Sequence, residues 1–385
     1  MGRLVCSIIL LTLAVGLGGC HSNSKPDSSS SRNASVSPDI SERRAQEIVS
    51  ELRARAAHLA AAQARTPSRH SSSEALSKIS PDTFSKDIPA LNPQFTGVSS
   101  ESLYQQLIQI QAHWMDSSGR QEWFEATPIL QKDSRKVVSL VHSEQITTTL
   151  DHGNPVHQLK AKTFSTYRFI DHGVAYPLCN DEPYLQQPMG AFCSGVLVGS
   201  RLVATAAHCI GSDDEAKATK FVFDFKMKDK DNAQSTFNDD EVFTGKRILQ
   251  SHSSYTQDDW ELIELDHDVT EQGRIADIRR DGLLDQTHKV FAIGYPSGLP
   301  VKVSAGGNVR DNVDPKIFLA GLDVYAASSG GPVFNEQHIV EGILSRGDKD
   351  FLPVGNCART NNCPNVGCPG DAITRTTSFA SFVPK

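Results

Sequence analysis

The sequence predicts an all-β body, sandwich or barrel, behind an N-terminal segment that is partly helical and partly disordered. Three observations carry this reading. From about residue 117 the chain breaks into short runs of β-branched and aromatic residues, separated by Gly, Pro, Asn and Asp. Upstream, Ser- and Pro-rich stretches hold too few apolar residues to bury a core. Between those stretches lies one window with apolar residues at helical spacing.

The elements follow in chain order. Arg3 precedes an apolar run from Leu4 to Leu17, too short for a comfortable membrane span and laid out as a signal peptide. It ends in Leu17-Gly18-Gly19-Cys20, which resembles the bacterial lipobox. That resemblance implies cleavage after residue 19, acylation of the Cys20 thiol, export, and a lipid anchor in the cell envelope. His21, in the place of an Asp, implies by the known sorting rule the outer membrane if the host is Gram-negative. Residues 20–37 read as a flexible tether.

Ser37-Pro38 is a helix start, and Ala45, Ile48, Val49, Leu52, Ala56 and Leu59 repeat with helical period. The expected helix runs from about 38 to 65. Residues 66–98 read as loop, and Leu103, Leu107, Ile110 and Trp114 as a second short helix. Residues 38–116 thus form a helical and loop spacer or a pro-segment. Strands are expected at Val137–Val141, Val196–Val198, Phe221–Phe223, Val290–Ile293, Ile339–Val340 and Ile343–Leu344. No internal repeat is evident.

Charge and cysteine content narrow the function. Lys and Arg number 38 against 45 Asp and Glu, a net charge of −7, which argues against nucleic acid as a partner. Apart from Cys6 and Cys20, six cysteines remain: Cys179, Cys193, Cys209, Cys357, Cys363 and Cys368. In an exported chain an even set reads as three disulfides, whose pairing the sequence leaves open. A metal site at Cys357, Cys363 and Cys368 is the weaker reading, because the spacing is irregular and no His is near. The Asp/Asn-rich stretch 230–240 reads as a solvated loop before a Ca²⁺ site. No metal or cofactor is expected.

Three local motifs carry chemistry: Thr205-Ala206-Ala207-His208-Cys209, Asp259-Trp260-Glu261-Leu262-Ile263-Glu264-Leu265, and Ser328-Ser329-Gly330-Gly331-Pro332-Val333. A serine is a poor nucleophile without a base in hydrogen-bond reach, and the base needs a carboxylate to hold its tautomer. The order His, Asp, Ser is that of chymotrypsin-type peptidases. Residues 117–385 resemble the trypsin/chymotrypsin-like serine peptidases, most of all the bacterial glutamyl-endopeptidase-like branch. Phe192-Cys193-Ser194-Gly195, Gly294-Tyr295-Pro296-Ser297-Gly298 and Glu341-Gly342-Ile343-Leu344 add to the likeness.

The resemblance implies two six-stranded antiparallel β-barrels. It also implies Ser329 as nucleophile, His208 as base and Asp259 as its partner. Asp258 and Ser328 are the neighbouring alternatives; the strand pattern after Asp259 and the register of Gly330-Gly331-Pro332 favour the first pair. The amides of Ala327 and Ser329 would form the oxyanion hole, at about 3–4 kcal/mol per donor. Cys193–Cys209 would staple the strand before His208 to its turn. One of Cys357, Cys363 and Cys368 would pair with Cys179, and the other two with each other.

The sequence also departs from the family. Ala327 stands where glycine is usual, at a turn that favours glycine. Ser328 replaces the Asp of the trypsin activation switch, and no activation sequence precedes the domain, so that switch is not expected. Asp323 sits at the offset of the trypsin specificity acid, which leans towards cleavage after basic residues; Tyr325 replaces a pocket-bracing cysteine. Leu344 occupies the place of the glutamyl-specificity histidine, against glutamyl specificity. Ser345-Arg346-Gly347 would be the strand edge that pairs with substrate.

The expected function is an envelope-tethered endopeptidase acting on proteins or peptides. A catalytically weak protease fold kept as a surface binding or adhesion protein is the alternative. A protease-chaperone would need a further C-terminal domain, for which the sequence after Ser329 leaves little room.

Overall fold

In a computed structural model of the chain, the structure describes residues 47, 48, 51, 93–99, 102–103, 119–254, 258–347, 349–361 and 370–385. Of the two expected N-terminal helices, Glu47, Ile48 and Glu51, and then Ser102 and Leu103, are described and are helical. The signal segment, Cys20, the tether, Cys363 and Cys368 lie outside the described residues. Among the described residues no helix is long and apolar enough to cross a membrane.

The expected β body is present as two six-stranded antiparallel barrels. We number thirteen strands in chain order. β1 is Arg120–Glu122, β2 Val137–His142, β3 Ala191–Gly199, β4 Leu202–Thr205, β5 Thr219–Phe223, β6 Val242–Ser253 and β7 Asp259–Leu265. β8 is Lys289–Gly294, β9 Lys302–Asp311, β10 Ile317–Ala320, β11 Pro332–Asn335, β12 Val340–Arg346 and β13 Asp371–Arg375. The first barrel closes in the order β4-β7-β6-β5-β2-β3. The second runs β9-β8-β11-β12-β13-β10 and closes by pairing of β10 with the far end of β9. β1 is an added seventh strand on the near end of β9, with Arg120 opposite Ser304 and Glu122 opposite Lys302.

Side-chain alternation sorts the apolar residues into cores. On β7, Ile263 and Leu265 point into the first barrel with Val138, Leu140, Val203, Phe221 and Phe243. The intervening Trp260 and Leu262 face the second barrel and meet Phe291, Ile293, Phe334 and Ile343. A third cluster, including Val290, Phe318, Val333, Leu344 and Ile373, fills the second barrel. Burial of each such side chain is worth about 1.5–3 kcal/mol, so the seam between barrels is as well supported as their interiors.

Two details correct the sequence reading. Val340 and the run Ile343–Leu344 belong to one strand, β12, with Ile339 just before it, and Gly342 between them lets β13 approach too closely for a side chain. A Cβ there would lie 2.4 Å from the Thr374 carbonyl oxygen. The largely exposed hairpins Ile146–Asp151 with Asn154–Leu159 and Arg168–Asp171 with Val174–Pro177 were not foreseen.

Two disulfides are formed among the described residues. Cys193–Cys209 joins β3 to the His208 turn, as the resemblance implied. Cys179 pairs with Cys357 and so anchors the Phe351–Val354/Cys357–Thr360 hairpin, across a loop of 178 residues. A closure of that length constrains the unfolded chain by several kcal/mol, roughly 2–5.

Candidate active site

The three motifs converge at the seam. His208 lies on the short turn Ala207–Cys209 after β4, and Asp259 opens β7, both in the first barrel. Ser329 lies on the turn before β11 of the second. Asp259 Oδ2 is 2.5 Å from His208 Nδ1, and its Oδ1 accepts the His208 backbone N–H at 3.3 Å. The carboxylate thus holds both ring and backbone, leaving Nε2 for the cleft. Asp259 is itself tied to the second barrel, its N–H donating to Thr374 Oγ1 at 3.0 Å.

Asp258 is committed elsewhere. Its oxygens meet Trp260 Nε1 at 3.2 Å, Lys316 Nζ at 3.0 Å and His252 Nε2 at 3.1 Å. The choice between the two adjacent acids is therefore settled by geometry in favour of Asp259 as the partner of His208.

Ser329 is positioned by its backbone. Its carbonyl accepts the Ser194 N–H at 2.8 Å and lies 3.9 Å from Cys209 Sγ, one residue from His208. Gly330 follows at φ +80°, packed so tightly that a Cβ would sit 2.2 Å from both the Ser194 carbonyl oxygen and Thr205 Oγ1. No other residue fits there. Among the described residues Ser329 Oγ has no hydrogen bond, to His208 or otherwise. Such contacts are often open without substrate.

The turn from Tyr325 to Ser328 closes with the Ser328 N–H on the Tyr325 carbonyl at 3.1 Å. Its third residue, Ala327, has φ +66°, the conformation that makes glycine usual there. Two contacts hold it. The Ala326 carbonyl accepts the Ser297 N–H at 2.6 Å, and the Ala327 carbonyl accepts Ser194 Oγ–H at 2.8 Å. In a trans peptide the N–H points opposite to the carbonyl, so the first contact aims the Ala327 N–H away from Ser297. Among the described residues the N–H groups of Ala327 and Ser329 have no acceptor.

Alanine thus reaches the turn at the cost of a left-handed residue, about 1–2 kcal/mol. Ala327→Gly is expected to raise the melting temperature by a few degrees, the strain relieved exceeding the added chain entropy of roughly 0.5–1 kcal/mol. Its kcat should change less than about threefold, because the amide is already open. A gain well above that in a steady-state assay would show that the alanine misplaces the donor.

Beside Ser329 is a cavity of about 180 Å³ lined by Val324, Tyr325, Ala326, Leu344, Arg346, Gly347 and Asp350. Gly347 has no backbone partner among the described residues, so an edge is open to an extended chain. Ser345 is buried, its hydroxyl spent on the Ala372 carbonyl at 3.0 Å. Asp323, expected at the base of this pocket, does not line it. Its carboxylate turns the other way and pairs with Arg120, drawn there by a guanidinium that no sequence offset reveals. The carboxylate that does line the cavity is Asp350, which accepts the Ala326 N–H at 2.7 Å. Tyr325 braces the wall by packing, its ring centroid 4.9 Å from that of Phe351.

Asp371 stands behind the Gly347 wall, with Oδ1 3.1 Å from where a Cβ on Gly347 would be. Burial pushes its carboxyl up to about 7, against the hydrogen bond it accepts from the Leu322 N–H. Between about pH 4, where the unfolded group titrates, and pH 7, the folded chain keeps a proton the unfolded chain has lost. Stability is therefore expected to fall as pH rises through that window and to level off above it. Asp371→Asn should flatten this slope in urea midpoints measured from pH 4 to 8.

Ser194, Ser297, Asp350 and Arg120 were not singled out as site residues from sequence. Ser194 and Ser297 lie inside motifs that carried the resemblance, which was their only signal. Cys193, His208 and Cys209 lie close together, but the two sulfurs are joined to each other and offer no thiolate to a metal.

Residues 193–343 match the trypsin-like peptidase domain family. That stretch spans β3 to β12 and contains all three motif residues. The domain match supports a serine peptidase of the trypsin-like superfamily. Over 216 residues, 53% of this chain, the sequence is 29% identical to the serine protease Hayan of Drosophila melanogaster, of whose length it spans 30%. Human heparin binding protein is similar in structure at 14% identity, with 69% of this chain and 95% of that one covered and a TM-score of 0.39. Kallikrein-related peptidase 10 is similar at 17% identity, covering 66% and 95%, with a TM-score of 0.36.

Proposed function

We propose that the chain is a serine endopeptidase that cleaves peptide bonds through an acyl-enzyme. The observation that carries this reading is the His208–Asp259 pair, set beside a serine turn whose two N–H groups are open. His208 Nε2 takes the Ser329 Oγ proton as the Oγ–C bond forms. The carbonyl oxygen, now negative, is held by the Ala327 and Ser329 amides. His208 then gives the proton to the leaving amine as the C–N bond breaks, and water repeats the sequence to free the acid. Asp259 stabilises the imidazolium.

For specificity we retain a lean towards a basic residue before the scissile bond, carried by Asp350 rather than Asp323. Arg346 lines the same cavity and is the competing charge. A peptide-library screen decides between them: a basic preference lost in Asp350→Asn supports Asp350, and an acidic preference assigns the pocket to Arg346. Export and anchoring through Cys20 belong to the same proposal, supported by the lipobox and by the disulfides, which suit an oxidising compartment.

The decisive experiment is labelling of the full-length chain with a fluorophosphonate probe and mapping by mass spectrometry. Stoichiometric labelling at Ser329, lost in Ser329→Ala, is the expected result. Folded protein that takes no label would overturn the peptidase reading and leave a binding protein on a protease fold.

A further inference from the structure

We propose that Arg120 is a positioning residue of this site: from the added strand β1 it holds the Asp323–Ser329 segment in its working form. The inference rests on the serine-peptidase reading above and extends it to a residue outside the three motifs.

β1 is three residues long, yet it delivers two buried charges to the second barrel, and each meets its opposite. The Arg120 guanidinium pairs through Nη1 with Asp323 Oδ1 and through Nη2 with the Tyr325 hydroxyl. Its Cζ lies 3.6 Å from the centre of the Tyr325 ring, and the side chain is 6% exposed. One pleat further on, Glu122 Oε2 accepts Lys302 Nζ at 3.0 Å, while its Oε1 accepts Gln187 Nε2 at 2.6 Å. The backbone is held as well: the Arg120 carbonyl accepts the Tyr184 hydroxyl at 3.0 Å. Ser304, opposite Arg120 in the ladder, accepts the Asp323 N–H on its Oγ at 2.9 Å.

The place where Arg120 lies matters more than the number of its bonds. Its side chain fills the space behind Ser328, leaving a gap of about 10 Å³ bounded also by Gly294, Pro296, Lys302 and Asp323. Asp323 and Tyr325 are the residues it grips. Tyr325 opens the turn that aims the Ala327 and Ser329 amides, and it lines the substrate cavity. Without Arg120, Asp323, a partly buried carboxylate with its side chain 30% exposed, loses the cation it pairs with, and that unpaired charge costs more than having no charge at all. The segment must then move or take up water, and the nucleophile turn moves with it. The trypsin activation switch, not expected from this sequence, would act on the same turn; here a guanidinium from within the chain occupies the space behind it.

The test separates positioning from charge compensation. In full-length protein, Arg120→Met is expected to lower kcat/KM at least about 100-fold, the scale of a misplaced catalytic group. The double variant Arg120→Met/Asp323→Asn removes the stranded charge and should regain the wild-type melting temperature. Its kcat is expected to stay about tenfold or more below wild type, because Tyr325 has lost the guanidinium on its face and keeps only Thr360 Oγ1 on its hydroxyl and the Phe351 ring. Arg120→Lys, with the charge but neither the fork nor the flat face, should fall between them. A double variant that recovers both melting temperature and kcat would overturn the proposal and leave Arg120 a mere counter-charge. So would an active processed form whose N-terminus lies after Arg120. Failure of the wild-type chain itself to label at Ser329 is a different result, and sinks the peptidase reading instead.

Discussion

Alanine at either Ser329 or His208 is expected to lower kcat by about 10⁶-fold, and alanine at both should cost little more. The two groups work as a unit: without the base the hydroxyl stays protonated, and without the hydroxyl the base has nothing to activate. What remains is the oxyanion hole and the cleft, worth roughly 10³-fold over water. Both variants should stay folded. His208 has its side chain 46% exposed, and Ser329 Oγ has no hydrogen bond to lose among the described residues. Single-turnover hydrolysis of an activated ester, with melting curves alongside, checks this. Additive losses in the double variant would mean that the residues do not act on one proton.

The second large effect separates two neighbours. Asp259→Asn should lower kcat by about 10⁴-fold near neutral pH with little change in fold. An amide at that position can donate to His208 Nδ1, which then stays unprotonated; the proton moves to Nε2, and the ring can no longer accept from Ser329. Asp258→Asn should leave kcat within about threefold. It instead loses the ion pairs to Lys316 and His252, partly exposed contacts worth about 1 kcal/mol or less each in stability. Measuring kcat and the urea midpoint for both variants gives opposite patterns. Equal rate losses would undo the assignment of Asp259 as the His208 partner.

Much of the site was legible because its chemistry is local. A nucleophile turn needs glycine where the backbone of β3 and the Thr205 side chain press on it, and Gly330 meets that need inside a short motif. A buried strand needs closely spaced apolar residues, and Trp260, Leu262, Ile263 and Leu265 mark β7 after Asp259, although Glu261 and Glu264 interrupt the run. The two missed hairpins were legible in principle. Each turns on Asp-His-Gly, at residues 151–153 and 171–173, with both His and Gly at positive φ. That is the turn suited to a two-residue hairpin, but the flanking strands are short and mix polar with apolar residues, several of the latter exposed, so no clear alternation announced them.

The specificity acid fared worse, for a different reason. An offset of six residues before Ser329 locates Asp323 along the chain but not the direction of its side chain. Arg120, 203 residues earlier, decided that direction. The Cys179–Cys357 pairing is of the same kind, since six cysteines carry no pairing information until the strands are laid side by side.

What the sequence determined by itself was therefore the β class, the three motifs and the turn that glycine must hold, because period, propensity and steric need act between near neighbours. What the tertiary structure alone decided was which carboxylate faces His208 and which faces the pocket. It also decided that a three-residue strand ahead of the barrels belongs to the site. Those outcomes depend on where charges meet in a space too small to leave any of them unpaired, and only the folded chain sets that distance.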